Sequence, residues 1–140
     1  MNFDDKLISG TFIKRYKRFF VDVKLKNSII TAHCPNTGSM FGLLEKGNKV
    51  WITKTSNPNR KLKYTLQIIE SRGCKVGINT HLTNKIFYHG LSNNLFKEFK
   101  NVENITPEVK YDADTRFDFL INSAKKKSLV EVKNVTLSRK

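Results

Sequence analysis

The chain is expected to be mainly β with α+β character: a small barrel first, then a helical connector, then a further group of strands. Three observations carry that expectation. Runs of β-branched and aromatic residues recur between Gly- and Asn-containing turns through the first 80 residues. Apolar residues then take up helical spacing over 81–104. Strand texture returns from Ile105 to the end.

In chain order, Thr11–Lys26 mixes aromatic, β-branched and basic residues in loose alternation, as one long, curved strand pair would. Ile29–His33, Lys49–Thr53, Lys63–Glu70 and Lys75–Asn79 read as further strands. Asn36-Thr37-Gly38, Glu45-Lys46-Gly47-Asn48, Ser56-Asn57-Pro58-Asn59 and Ser71-Arg72-Gly73 supply the turn chemistry between them. About five short strands within some 75 residues suit a small, closed or partly closed barrel of the OB type. His81–Tyr88 and Leu91–Lys100 are expected helices, with Ser92 as N-cap of the second. Glu108–Tyr111, Arg116–Ile121 and Ser128–Val135 are the closing strands. The resulting division is a barrel over 1–82 and a connector with the remaining strands over 83–140.

Charge narrows the function. With 26 Lys+Arg against 12 Asp+Glu, the chain carries +14 and has a pI of about 9.9. Residues 1–90 hold 16 basic and 5 acidic side chains, against 10 and 7 in residues 91–140. Abundant Lys, Asn and Ile point to a compositional bias as one source of the charge, but such a bias does not explain the shortage of acids. A polyanion, nucleic acid above all, is the expected partner. No apolar run approaches the roughly 18 to 20 residues of a membrane span. The acidic start Met1-Asn2-Phe3-Asp4-Asp5 lacks the apolar stretch of a signal peptide, and no membrane partner is expected. Cys34 and Cys74 fit neither a zinc site nor a disulfide framework, which suits free thiols in a cytoplasmic protein.

Two constellations carry chemistry. In the barrel, Lys14-Arg15-Tyr16-Lys17-Arg18-Phe19-Phe20 and Arg60-Lys61-Leu62-Lys63-Tyr64 interleave cations with rings. Cations of this kind meet phosphates while rings stack on exposed bases. The alternative is that Tyr16 and Phe19 are core residues beneath a solvated basic face. Asn36-Thr37-Gly38 is a tight turn whose amides and hydroxyls suit a phosphate. Trp51 belongs to the core or the barrel lip, and His81 and His89 to the structure.

In the closing hairpin, a turn symmetric about Ala124/Lys125 sets Asp118 opposite Glu131. Period-two alternation then puts Lys133 on the face of Glu131, with Phe117, Phe119, Val130 and Val132 behind. Two carboxylates there suit Mg²⁺, and a nearby Lys suits the charge on a phosphoryl group. The same spacing also serves a solvent-facing ion-pair network.

Taken in order, Arg15-Tyr16-Lys17-Arg18-Phe19, His33–Met40, Gly47 with Val50-Trp51, and Arg60-Lys61 resemble the sugar fermentation stimulation protein A family. Asn79-Thr80 with Asn84, Glu108-Val109-Lys110-Tyr111, Arg116-Phe117-Asp118-Phe119 and Glu131-Val132-Lys133 continue the resemblance over nearly the whole chain. It implies an N-terminal OB-fold domain joined to a nuclease-like PD-(D/E)xK domain. It also implies DNA binding linked to regulation of sugar, especially maltose, utilisation in bacteria. Asp118, Glu131 and Lys133 would form the nuclease-like triad, with Asp118 and Glu131 as the Mg²⁺ ligands and Glu108 as an accessory acid. Nucleic-acid contacts would fall to Lys14, Arg15, Lys17, Arg18, Asn36, Thr37, Arg60, Lys61 and Lys63. Family members run well beyond the Glu-x-Lys strand, so the nuclease-like region is expected to be incomplete and binding to outrank cleavage.

Overall fold

A computed structural model describes residues 1–139. Among them are nine strands and one α-helix. The first six strands are β1 (Ile8–Tyr16), β2 (Phe20–Lys24), β3 (Ile29–His33), β4 (Lys49–Lys54), β5 (Tyr64–Ser71) and β6 (Cys74–Gly77). They form a sheet in the order β3-β2-β1-β4-β5-β6. Parallel pairing of β3 with β5 closes the first five strands into an OB-like barrel.

Closure depends on β1. It pairs β4 through Ile8–Thr11 and β2 through Thr11–Tyr16, so one strand serves two neighbours. A bulge between Phe12 and Lys14 supplies the bend that this double duty requires. Alternation does the rest: Val21 and Val23 of β2 are buried while Phe20, Asp22 and Lys24 between them are not. Twelve buried residues, Phe12, Met40, Leu43, Ile52 and Leu66 among them, make one core. Each fully buried aliphatic or aromatic side chain contributes about 1.5–3 kcal/mol. Polar groups inside are paired. Gln67 Nε2 donates to Thr53 Oγ1 at 2.9 Å, and Asn79 Nδ2 donates to Gln67 Oε1 at 3.0 Å.

The chain falls into two compact units. One is the barrel, Asn2–Thr80, joined by the residues from Val135 onward. Thr136 Oγ1 accepts from Asn36 Nδ2 at 3.0 Å, and the Ser138 N–H donates to the Phe41 carbonyl at 2.8 Å. These bonds return the last segment to the barrel, which a division into 1–82 and 83–140 does not capture. The other unit is Met1 with His81–Asn134. It contains α1 (Thr83–Ser92) and an antiparallel sheet of β7 (Val102–Lys110), β8 (Arg116–Ser123) and β9 (Lys126–Val130). Its core is smaller, with Leu91, Phe119 and Ile121 buried and Phe87, Phe96 and Phe99 packed against them.

The connector departs from expectation. A 3-10 turn at Thr80–Leu82 precedes α1, and the second helix, Leu91–Lys100, does not form. The reason lies at the end of α1. Asn94 takes a left-handed φ of 54°, and the Leu95 N–H bonds back to the Gly90 carbonyl at 2.9 Å, which ends the helix. Ser92 therefore closes a helix instead of opening one, its Oγ donating to the Tyr88 carbonyl. Gly90 is needed here: a Cβ on it would lie 2.5 Å from the Phe96 ring. Phe96 and Phe99 keep their apolar role from an irregular segment, packing on Phe87. The first closing strand is longer than expected, and Pro107 is tolerated in β7 because that strand is an edge.

Candidate nucleic-acid interface

One rung of the barrel organises the basic residues. Tyr16 pairs with Phe20, Phe20 with His33, and His33 with Thr65, so the rung crosses β1, β2, β3 and β5. Lys17 and Arg18 form the turn just beyond it. Both sit in the left-handed region, at φ 48° and 61°. A side chain there costs about 1–2 kcal/mol. The connection from β4 to β5 ends at Tyr64, which pairs with Ala32 next to the same rung. That parallel pairing sets Lys63, and the connection carrying Arg60 and Lys61, beside β3 on the Thr31 side of the rung, away from the β1–β2 turn.

The predicted contact residues separate into two kinds. Lys17, Arg18 and Thr37 are exposed and line a groove of about 350 Å³ between the β1–β2 turn and the loop after β3. Lys14 is exposed, stands 5.4 Å from the Tyr16 ring centroid and lies 3.8 Å from the Asp22 carboxylate. Lys61 is exposed and Arg60 half-buried. The others are turned to structural work. Arg15 Nε donates to the Arg18 carbonyl at 2.8 Å, Nη1 to Gly38 O at 2.8 Å and Nη2 to Asn36 O at 2.6 Å. Its guanidinium thus ties the turn to the loop and forms the floor of the groove. Asn36 is buried, its Nδ2 donating to Ile78 O and Thr136 Oγ1 while Oδ1 accepts from the Gly38 N–H. No amide hydrogen of Asn36 is left for a ligand. Lys63 Nζ donates to the Asn57 and Pro58 carbonyls, at 3.2 and 2.9 Å, and so shapes its own loop.

Beside Arg15, Cys34 is fully buried. Burial pushes its thiol up, against the opposing pull of the Arg15 charge and the Asn36 backbone bond. It is packing, with Met40 Sδ 3.7 Å from its Sγ.

Strand pairing sets further cations beside rings. Lys54 stands 5.8 Å from the Tyr64 ring centroid. Lys49 and Lys75 stand 5.1 and 5.0 Å from that of Trp51, which is half-buried on the outside of β4. The rings of the organising rung are also ordered: Tyr16 and Phe20 stack at 5.4 Å, Phe19 and His33 at 6.5 Å.

In the second unit, Ser123 pairs with Lys126 and Phe119 with Val130, so Glu131 is the next position opposite Asp118. On the other side, Pro107 pairs with Phe119 and Val109 with Phe117, which places Glu108 beside Asp118. Three carboxylate residues therefore share one row across β7, β8 and the extension of β9. Asp118 is the anchored member: Oδ1 accepts from Asn84 Nδ2 at 2.9 Å and Oδ2 from the Val132 N–H at 2.7 Å. The second bond takes the amide that a longer β9 would offer to the ladder, which is why β9 stops at Val130 and not at Val135. Glu131 and Lys133 bond each other in solvent. That bond, then the Glu131 charge, holds the Lys133 ammonium above the usual lysine range. Glu108 is exposed and left-handed, at φ 51°.

No group of three His, Cys, Asp or Glu side chains is gathered closely enough to hold a metal among the described residues. The row does not fit a cation caged wholly by protein. It fits one held through one or two carboxylates with water completing the shell, the usual manner of Mg²⁺. No helix among the described residues is long and apolar enough to cross a membrane.

Comparison with known proteins agrees with this architecture. Residues 13–78 match the family model described as the SfsA N-terminal OB domain, and residues 81–140 match the sugar fermentation stimulation protein RE domain. A sugar fermentation stimulation protein homolog of Pelagibacter ubique is 59% identical over 99% of this chain and 60% of its own length. The homolog of a Synechocystis strain is 47% identical over 95% of this chain and 58% of its own. The Pyrococcus furiosus SfsA structure, in complex with Ca²⁺, superposes with a TM-score of 0.75 at 27% identity, covering 94% of this chain and 55% of that one. The chain thus spans about 60% of the length of the curated relatives it matches. With both domain descriptions matched in order and the barrel in place, the chain belongs to the sugar fermentation stimulation protein family.

Proposed function

We propose that this chain binds nucleic acid, DNA in particular, through phosphate contacts at the basic end of its barrel. The observation that carries the reading is the groove between the β1–β2 turn and the loop after β3. Lys17, Arg18 and Thr37 open onto it, and Arg15 holds its two walls together. Arg60 and Lys61 add further charge beside β3, through the β4–β5 connection. Neither Lys17 nor Arg18 is in an ion pair among the described residues, so both charges face solvent. In this reading the protein acts in the bacterial cytoplasm, and regulation of sugar utilisation, maltose included, follows from where it binds on DNA.

Binding should weaken steeply with salt, because each phosphate neutralised releases counterions. Lys17→Glu with Arg18→Glu should reduce both the affinity and the slope of log K against log salt. Each duplex phosphate that is no longer neutralised lowers that slope by about 0.9. Arg15 is left unchanged in this test, since its removal would open the groove itself. Affinity that stays level from low to high salt contradicts the proposal.

The carboxylate row favours a second reading, a metal-dependent nuclease. The Pyrococcus furiosus relative is a complex with Ca²⁺, and Glu108, Asp118 and Glu131 occupy one row here. Asp118 would hold Mg²⁺ with Glu131, and the cation would supply Lewis-acid stabilisation of a phosphoryl oxygen. Asn84 and the Val132 amide keep Asp118 oriented. Lys133 sets a positive charge beside Glu131. Products that appear only with Mg²⁺ or Mn²⁺, and vanish with Asp118→Ala, would establish cleavage. Their absence in a full-length relative would leave binding alone.

A further inference from the structure

We infer that the groove between the β1–β2 turn and the loop after β3 takes a terminal phosphomonoester, so that the chain prefers the phosphorylated end of a strand to its interior. The inference rests on the nucleic-acid reading above and adds the chemical group that the groove selects.

Charge density favours a monoester. Arg15, Lys17 and Arg18 line the groove together, and no carboxylate lines it. Its volume of about 350 Å³ lies at the lower end of the range for one small ligand. An internal phosphodiester brings a single negative charge. A terminal phosphate brings about −1.5 to −2 near neutral pH, on three acceptor oxygens. Three cations around so small a volume exceed what the diester needs and suit the monoester.

The backbone of the turn gives an independent argument. Lys17 and Arg18 hold φ of 48° and 61°, where Asn-Gly would close the same turn with less strain. Neither is in an ion pair among the described residues, so no partner within the protein accounts for two strained cations in succession. The opposite wall supplies hydroxyls. Thr37 and Ser39 are exposed, and no hydrogen bond among the described residues engages either hydroxyl. Arg15 fixes the distance between the walls by donating to the Arg18 carbonyl on one side and to the Gly38 and Asn36 carbonyls on the other. A width set before binding lowers the ordering cost of gripping a compact tetrahedral group. Lys17 and Arg18 would give it charge-assisted bonds, with Thr37 and Ser39 donating to the oxygen that a diester lacks.

Competition fluorescence anisotropy with the full chain tests this. Unlabelled oligothymidines carrying a 5′-phosphate, a 3′-phosphate, a 5′-methyl phosphate or hydroxyls at both ends displace one internally labelled strand. A hydroxyl-ended strand two nucleotides longer controls for total charge. A terminal phosphate is expected to tighten binding at least about tenfold over hydroxyl ends, the equivalent of one charge-assisted hydrogen bond. The larger gain, at 5′ or at 3′, identifies the end that is recognised. The methyl ester, with one charge and one free oxygen removed, should fall back to within about twofold of the hydroxyl-ended strand. Arg18→Gly should lose most of the preference, while the urea midpoint read from Trp51 fluorescence is kept or raised, since glycine relieves the left-handed strain. Equal binding of phosphorylated and hydroxyl-ended strands, or a gain no larger than that of the longer strand, overturns the end preference and leaves the phosphate reading standing. A preference undiminished in Arg18→Gly also overturns it, since the monoester then sits elsewhere. No binding by any strand overturns both.

Discussion

Replacing Asn36 by alanine should unsettle the barrel far more than removing any exposed cation. The Asn36 side chain is 3% exposed. Its Nδ2 donates to Ile78 O at 3.2 Å and to Thr136 Oγ1 at 3.0 Å, while Oδ1 accepts from the Gly38 N–H at 2.8 Å. Alanine deletes all three bonds and leaves a carbonyl, a hydroxyl and an amide facing the gap. At a net of about 1 kcal/mol per bond the loss is about 3 kcal/mol. Thr136→Val keeps the volume and removes one bond, for about 1 kcal/mol. Trp51, the chain's one tryptophan, sits on β4, so its fluorescence follows the barrel through urea unfolding. With a slope of about 1.5 kcal/mol per molar, the midpoint falls by about 2 M for Asn36→Ala and about 0.7 M for Thr136→Val. Below the transition, the salt slope of oligonucleotide binding should match wild type, since every phosphate-facing cation is still in place. A midpoint shift under about 0.5 M for Asn36→Ala would refute the claim that this amide holds the loop and the returning chain to the barrel.

Gly42→Ala should cost at least about 1 kcal/mol by the same urea measurement, because φ is +77° and a Cβ would strike the Ser138 carbonyl. Titration of the native protein with an aromatic disulfide should modify Cys74 rapidly, with Cys34 reacting only after denaturant is added, since Cys34 is buried and its thiol pushed up. Hydrogen exchange should be faster in β7–β9 than in β1–β5, as three buried apolar residues hold the first group and twelve the second. The Lys133 ammonium, followed by NMR, should titrate above the usual lysine range and fall back toward it in Glu131→Gln. Its folded value being raised, the attraction to Glu131 is complete below the ordinary lysine range and disappears as pH rises through the raised value.

Alternation and turn composition are local properties, and they made the barrel readable in the chain. Ile29–His33 and Lys49–Thr53 lie within one residue of the observed strands, because Gly and Asn clusters bound them on both sides. The hairpin centre at Ala124/Lys125 was equally legible, since a symmetric turn fixes register by counting, and Asp118 and Glu131 follow from it. The second helix was not. Leu91, Leu95, Phe96 and Phe99 carry helical spacing, but Asn94 in the left-handed region and the close approach of Phe96 to Gly90 let Leu91, Phe96 and Phe99 pack without a helix and leave Leu95 exposed.

Composition alone set the net charge of +14, on which the expectation of a polyanion partner rests, for charge survives any folding. Which cations face solvent depended on bonds between residues far apart in sequence. Arg15 and Asn36 look like ligand groups beside Lys17 and Thr37, yet their polar atoms meet carbonyls and hydroxyls some 20 to 100 positions away. Such partners exist only once β3 has paired with β5 and Thr136 has come back to the barrel. The row of rings is of the same kind, since Tyr16, Phe20 and His33 become neighbours by cross-strand register and by nothing in their spacing.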